Sequence, residues 1–216
     1  MTIKFISGGA LGSDSLWSYY GDQHGVVTTH FIAEGCKRPT GGKIPDRIKE
    51  QRSGVVRVVN TPSLYKAIEE LISLNVPISG RSPEEFFEGY KEHLSVAQKL
   101  HARNYWQVVL GEQVLAIGLI QDHKKVSGGT ATAVNLAIRL SKPVFVLNTD
   151  DCEWYTWNGA EFVKCSKPTF KEKNTTIGTR TMVQYVTLKE GRWVNAPYVG
   201  KSIEEKLREK IQELFN

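Results

Sequence analysis

Two short stretches of this 216-residue chain are built from glycine and small hydroxyl residues: Ser7-Gly8-Gly9-Ala10-Leu11-Gly12-Ser13-Asp14 and Ser127-Gly128-Gly129-Thr130-Ala131-Thr132. Such residues suit the turn between a strand and a helix. Glycine removes the Cβ that would block a close approach, while the unpaired N–H groups and positive dipole end of a helix start attract an anion. Each turn alone is common in strand–helix packing, but two on one edge of a sheet would form a cleft for a phosphate. Asp14 either opens its helix, where a carboxylate favours the dipole, or faces the cleft and accepts hydrogen bonds from a ribose or base. Arg103-Asn104 either supplies a cation to the phosphate or caps a helix. Gly178-Thr179-Arg180 is a third cluster of glycine, hydroxyl and cation, suited to a loop that closes over the cleft; its place is left open.

The elements that must hold these residues follow from hydrophobic period and turn signals. Residues 3–7 are a short apolar run breaking into glycines, a buried strand, and Ser13-Asp14-Ser15-Leu16-Trp17 reads as the start of a helix. Residues 26–32 and 55–59 are β-branched strands, with a long loop over 33–54. Leu64, Ile68, Leu71 and Ile72 recur at helical spacing behind Thr61-Pro62. Phe87, Tyr90, Leu94, Ala97 and His101 predict one long helix beginning after Ser82-Pro83-Glu84-Glu85. Residues 114–120 are almost wholly apolar, as in a strand covered on both faces, and lead to the second glycine turn, a helix carrying Val134, Ala137 and Ile138, and a strand over 143–147. Beyond Asn148 the character changes. Trp154, Tyr155 and Trp157 lead through Asn158-Gly159 to Phe162 and Val163, a two-residue hairpin signal, with the aromatic rings read as hairpin cover in preference to a base-stacking platform. Ile203, Leu207, Ile211 and Leu214 form one face of a last helix. The reading is an α/β fold: a Rossmann-like parallel sheet with helices on both faces over residues 1–150, and a β-hairpin plus C-terminal helix over 151–216 packed on that core.

Composition narrows the function classes. Hydrophobic residues at 40% and charged residues at 24% are those of an ordinary globular chain, so a packed core is expected. The opening apolar run is too short for a signal peptide, and no run is long enough to span a membrane, which points to a cytoplasmic protein with no membrane partner. Cys36, Cys152 and Cys165 show no metal-ligand or disulfide spacing, and His24, His30, His93, His101 and His123 are scattered, so neither a metal nor a cofactor is expected. The net charge of +5 permits a nucleic-acid partner without favouring one, since basic and acidic residues alternate along most of the chain. Only the stretch from Lys37-Arg38 to Arg57 is locally basic, and a solvated face is the simpler account of it.

The pattern Ser7-Gly8-Gly9-Ala10-x-Gly12-x-Asp14 resembles the first turn of the SLOG superfamily, whose Rossmann-like members include DNA-processing protein A, the Lonely Guy phosphoribohydrolases, YpsA-like proteins and proposed molybdenum-cofactor carriers. Arg103-Asn104 and Ser127-Gly128-Gly129-Thr130 resemble its later elements, and the resemblance covers residues 1 to about 150. It implies a nucleotide-binding parallel-sheet fold, often dimeric or a larger homo-oligomer, with the ligand at the glycine turns; it does not imply one activity. The enzymatic PGGxGTxxE pattern is broken here: Ser127 stands at the proline, Ala131 at the third glycine and Asn135 at the glutamate. Asparagine has no titratable proton, which argues against the same hydrolysis by the same residue. The leading expectation is therefore binding (sensing, carrying or sequestering) of a phosphate-bearing nucleotide or nucleotide-derived ligand by Ser7, Gly8, Gly9, Gly12, Ser13, Asp14, Arg103, Asn104, Ser127, Gly128, Gly129, Thr130, Thr132 and Arg180. One alternative is an enzyme acting on an N-glycosidic bond with Asp14 as acid or base; the other is single-stranded DNA binding through Lys37, Arg38, Lys43, Arg47 and Lys49.

Overall fold

The β-branched and apolar runs form strands, as their composition favours: β1 (Lys4–Ser7), β2 (Val27–Ala33), β3 (Val55–Val59), β4 (Gln113–Gly118) and β7 (Val144–Asn148). The computed structural model describes residues 2–10, 12–36, 54–182, 186–189, 192–195 and 197–216. Strand β4 is buried at every position, as a strand covered on both faces must be. With β8 (Trp154–Trp157), β9 (Phe162–Lys164) and β10 (Lys173–Gly178), one sheet carries eight strands in the order β3-β2-β1-β10-β4-β7-β8-β9. The first six run parallel, and β8 and β9 add an antiparallel hairpin at one edge.

Period-two alternation along the strands feeds two cores on opposite faces. Ile6, Phe31, Val114, Ala116 and Val146 meet α2 (Thr61–Ser73), α4 (Val96–Leu110) and α5 (Thr130–Arg139) through Leu64, Ile68, Leu71, Ala102, Val108, Val134 and Ala137. Phe5, Leu115, Ile117 and Leu147 meet α1 (Ser13–Gln23) and α6 (Lys201–Gln212) through Leu16, Trp17, Tyr20, Leu207 and Ile211. This is the expected α/β Rossmann-like architecture, with helices on both faces of a mainly parallel sheet.

Four details differ from the sequence reading. The long helix after Ser82 is broken: α3 (Pro83–Phe86) ends after one turn and α4 starts afresh at Ser95. Both starts are capping boxes, Ser82 with Glu85 and Ser95 with Gln98, which satisfy the orphan amides locally. The apolar run 114–120 is likewise divided, because a small ribbon of β5 (Ile120–Gln121) and β6 (Lys125–Val126) stands between β4 and the second glycine turn. At the edge hairpin, Trp157 pairs with Phe162, so the loop spans four residues; Asn158 Oδ1 accepts the N–H groups of Ala160 and Glu161 and closes it as an Asx turn.

The fourth difference is topological. Strand β10 (Lys173–Gly178) lies between β1 and β4, parallel to both, so the segment after residue 150 supplies a central strand as well as an edge hairpin and a helix. Asn174, Thr175 and Thr176 are fully buried there. Asn174 Oδ1 accepts from Gln113 Nε2 at 2.8 Å, and Thr175 Oγ1 donates to the Gln107 carbonyl at 2.6 Å. A separate two-stranded ribbon, β11 (Val186–Lys189) with β12 (Arg192–Asn195), precedes α6.

Candidate ligand-binding cleft

Parallel strands end on one edge, so the segments leaving Ser7, Gly118 and Gly178 meet there. They enclose a cavity of about 320 Å³, lined by Ala10 and Asp14 from the first turn and by Ser127, Gly128, Gly129 and Thr130 from the second. Helix α4 forms its wall: Ala97, Leu100, His101 and Asn104 recur at helical spacing, with Arg103 beside them. Arg103 lies in the body of α4 and does not cap it; the last carbonyls of that helix are taken by Lys142 Nζ, which donates to Val108, Val109 and Gly111. Thr179 and Arg180, leaving β10, line the opposite side.

The two glycine turns are alike in sequence and unlike in use. In the first, Ser7 Oγ accepts the N–H of Gly9 at 3.3 Å and Asp14 Oδ2 accepts that of Ala10 at 3.2 Å, so its amides already face acceptors of its own. Gly12, at φ +95°, lies so close to the next segment that a Cβ would come within 2.6 Å of the Thr179 carbonyl oxygen. Ser13 donates to that same carbonyl through its N–H at 3.2 Å and its Oγ at 2.9 Å. Gly12 and Ser13 therefore pack against the Thr179-Arg180 segment and do not line the cavity.

The second turn is open. Added Cβ atoms at Gly128 and Gly129 would meet nothing within 4 Å, and Gly129 precedes α5 with no side-chain cap. Helix geometry leaves the first amides of α5 without intrahelical acceptors, at the positive end of the dipole. Thr130 is buried at the cavity wall, whereas Thr132 is fully buried behind it, its Oγ1 at 2.7 Å from His101 Nδ1. Ser7, Gly12, Ser13 and Thr132 thus stand behind the cleft, and the other ten expected residues line it or the cavity beside it.

Electrostatics converge on Arg103. Its guanidinium lies against Gly8, where a Cβ would overlap it, and the residue is only 6% exposed. Arg103 Nε and Asp14 Oδ1 are both buried without a hydrogen-bond partner among the described residues. Burial pushes the Asp14 carboxyl up, opposed by Arg103, the Ala10 N–H and Arg180. Burial also lowers the Arg103 pKa, with Asp14 acting in the other direction. His101, against which Arg103 adds its charge, is pushed down to about 4, mainly by burial, and is neutral near pH 7.

Ala97, Leu100, His101 and Ile177 are lining residues that sequence reasoning missed, while Thr179 falls in the third glycine–hydroxyl–cation cluster it singled out. The signal for the first three was the face of α4, which was read as core. The hairpin aromatics lie away from the cleft: Trp154 is buried in the α1/α6 core, and Trp157 packs on Phe162 with ring centroids 5.1 Å apart. Asn135 Nδ2 donates to the Pro77 carbonyl at 3.1 Å and does not line the cavity. Lys37, Arg38, Lys43, Arg47 and Lys49 lie outside the described residues. Among those described, no cluster of three or more His, Cys, Asp or Glu could hold a metal, and no helix is long and apolar enough to cross a membrane.

No protein-family model matches the chain, and no curated protein matches it. Among solved structures, the chain is similar to a protein of Syntrophus aciditrophicus described as a proposed molybdenum carrier protein. The two are 13% identical over 99% of this chain and 94% of that one, with a TM-score of 0.47. At that level the likeness says nothing about what the cleft holds.

Proposed function

We propose that this chain binds a phosphate-bearing small molecule, a nucleotide or a ligand derived from one, with the anion between the amides of Gly128, Gly129 and Thr130 and the guanidinium groups of Arg103 and Arg180. The observation that carries this reading is Arg103, a buried cation whose Nε has no partner among the described residues, at the wall of a cleft that also presents an uncapped helix start. Leaving such a group unpaired costs several kcal/mol, roughly what a bound phosphate would return. The first turn contributes shape and a buried carboxyl, while its amides are taken up by Ser7 and Asp14. The resemblance of Ser7-Gly8-Gly9-Ala10-x-Gly12-x-Asp14 to the SLOG superfamily favours a nucleotide over free phosphate. Sensing, carrying and sequestering all fit this arrangement. Calorimetry against nucleotides, ADP-ribose and cyclic nucleotides tests the proposal; no binding tighter than millimolar across that panel would remove it.

One observation favours a second reading. Asp14, its carboxyl raised by burial, shares the cleft with neutral His101, and two such groups suit acid–base work on the bound ligand, as in cleavage or transfer at an N-glycosidic bond. Release of free base from a bound nucleotide is the assay. Turnover that survives Asp14→Asn would discard this role for Asp14.

A further inference from the structure

The cleft is the middle of a longer trough. A second cavity of about 300 Å³ shares Ala10, Leu100, Arg103 and Arg180 with it and continues past Gly8 and Gly9 to Ile32 and Val96. A third, of about 260 Å³, shares Ser127 and Thr179 with the cleft and continues to Leu119, Thr149 and Tyr198. Together they follow the carboxyl edge of the sheet from the end of β2 to the end of β7.

The chemistry changes along that length. Arg103 and Arg180 stand where the first two cavities meet, and no other lysine or arginine lines any of the three among the described residues. Each outer compartment carries an exposed large apolar side chain instead: Val96 is 63% exposed at one end and Leu119 38% at the other. Exposed apolar side chains at the wall of a pocket give an uncharged ring or sugar a surface to cover. A ligand whose phosphate is terminal would leave one of these ends unused.

We infer that the ligand carries its phosphate in its interior, as a phosphodiester or pyrophosphate joining two uncharged bodies, one seated over Val96 and the other over Leu119. This rests on the anion-binding reading above and names the ligand class. A nucleic-acid strand fits less well, because its repeating phosphates call for cations along the groove, and among the described residues those lining the trough stand only at its centre.

Calorimetry on the full chain decides it, with inorganic phosphate, AMP, adenylyl-3′,5′-adenosine, NADH and a short oligothymidylate as probes. At least one of the two-body ligands should bind about ten-fold or more tighter than AMP. Val96→Gln and Leu119→Gln change exposed positions, and unchanged melting curves verify that the fold is kept. Both variants should weaken that two-body ligand by about five-fold or more, while at most one of them weakens AMP. AMP binding as tightly as the tighter of the two two-body ligands, or that ligand being indifferent to Val96→Gln or to Leu119→Gln, overturns the inference and leaves the anion site standing. Tighter binding of the oligothymidylate than of either two-body ligand overturns it in favour of a strand. Failure of every probe, phosphate included, removes the anion site and the inference together.

Discussion

A buried guanidinium whose Nε has no hydrogen-bond partner among the described residues, with its charge opposed mainly by the equally buried Asp14, destabilises the chain that carries it, so Arg103 separates function from stability within one side chain. Arg103→Met should raise stability in urea melts by about 1–3 kcal/mol while weakening phosphate-ligand binding by about ten- to hundred-fold. Loss of both together would mean that Arg103 is structural. His101 gives a pH signature. Its pKa falls from the ordinary 6.5 to about 4 in the folded chain, so between those values the unfolded state binds more protons than the folded one. Stability is therefore full above about pH 6.5 and is lost as pH falls towards 4, by on the order of 3 kcal/mol. In His101→Gln that share of the slope should vanish, as read from urea midpoints across the window. That Arg103 could bring a cation to the cleft was legible from its residue type. Its direction was not, because it depends on the phase of α4, and the phase is set by a cap at Ser95 that lay inside an apparently continuous helical pattern.

Two turns with nearly the same letters serve different ends because side chains nearby decide which amides stay open. Ser7 and Asp14 fold back on the first turn, while the second has no such acceptor. Substitution should expose the contrast. Gly12→Ala puts a Cβ against the Thr179 carbonyl at an unfavourable φ and should cost about 2 kcal/mol or more of stability, displacing Arg180 as well. Gly129→Ala meets open space at φ −66°, so stability should stay within about 0.5 kcal/mol while ligand affinity falls about ten-fold. Paired melts and titrations of the two variants check both halves. Support for α4 comes from elsewhere: Lys142 holds three carbonyls at its end, and Lys142→Met should cost about 2 kcal/mol in the same urea melts. Most strands of the large sheet, the two glycine turns and most helices could be read from period and punctuation. Lys142 could not, since its partners lie more than thirty residues away in sequence.

At the scale of the molecule, the hidden piece was β10. Its buried stretch carries Asn174, Thr175 and Thr176, so a search for apolar runs passes over it; hydrogen bonds to Gln113 and to the Gln107 carbonyl satisfy Asn174 and Thr175 in the interior, while Thr176 Oγ1 has no hydrogen-bond partner among the described residues. A fragment covering 1–150 would lack β10 and the α6 residues Leu207 and Ile211, which close the second core. It should therefore give no cooperative thermal transition and no dispersed amide spectrum, whereas a self-sufficient 1–150 core would give both. The same wedge has a consequence in time. Lys4 takes Lys173 as its register partner, so a ribosome must make nearly the whole sheet before its two halves can join. Until then the nascent β1 and β4 present bare edges, which invite pairing with neighbouring chains. Slow, chaperone-dependent maturation is the expected burden of placing the centre of the sheet so late in translation.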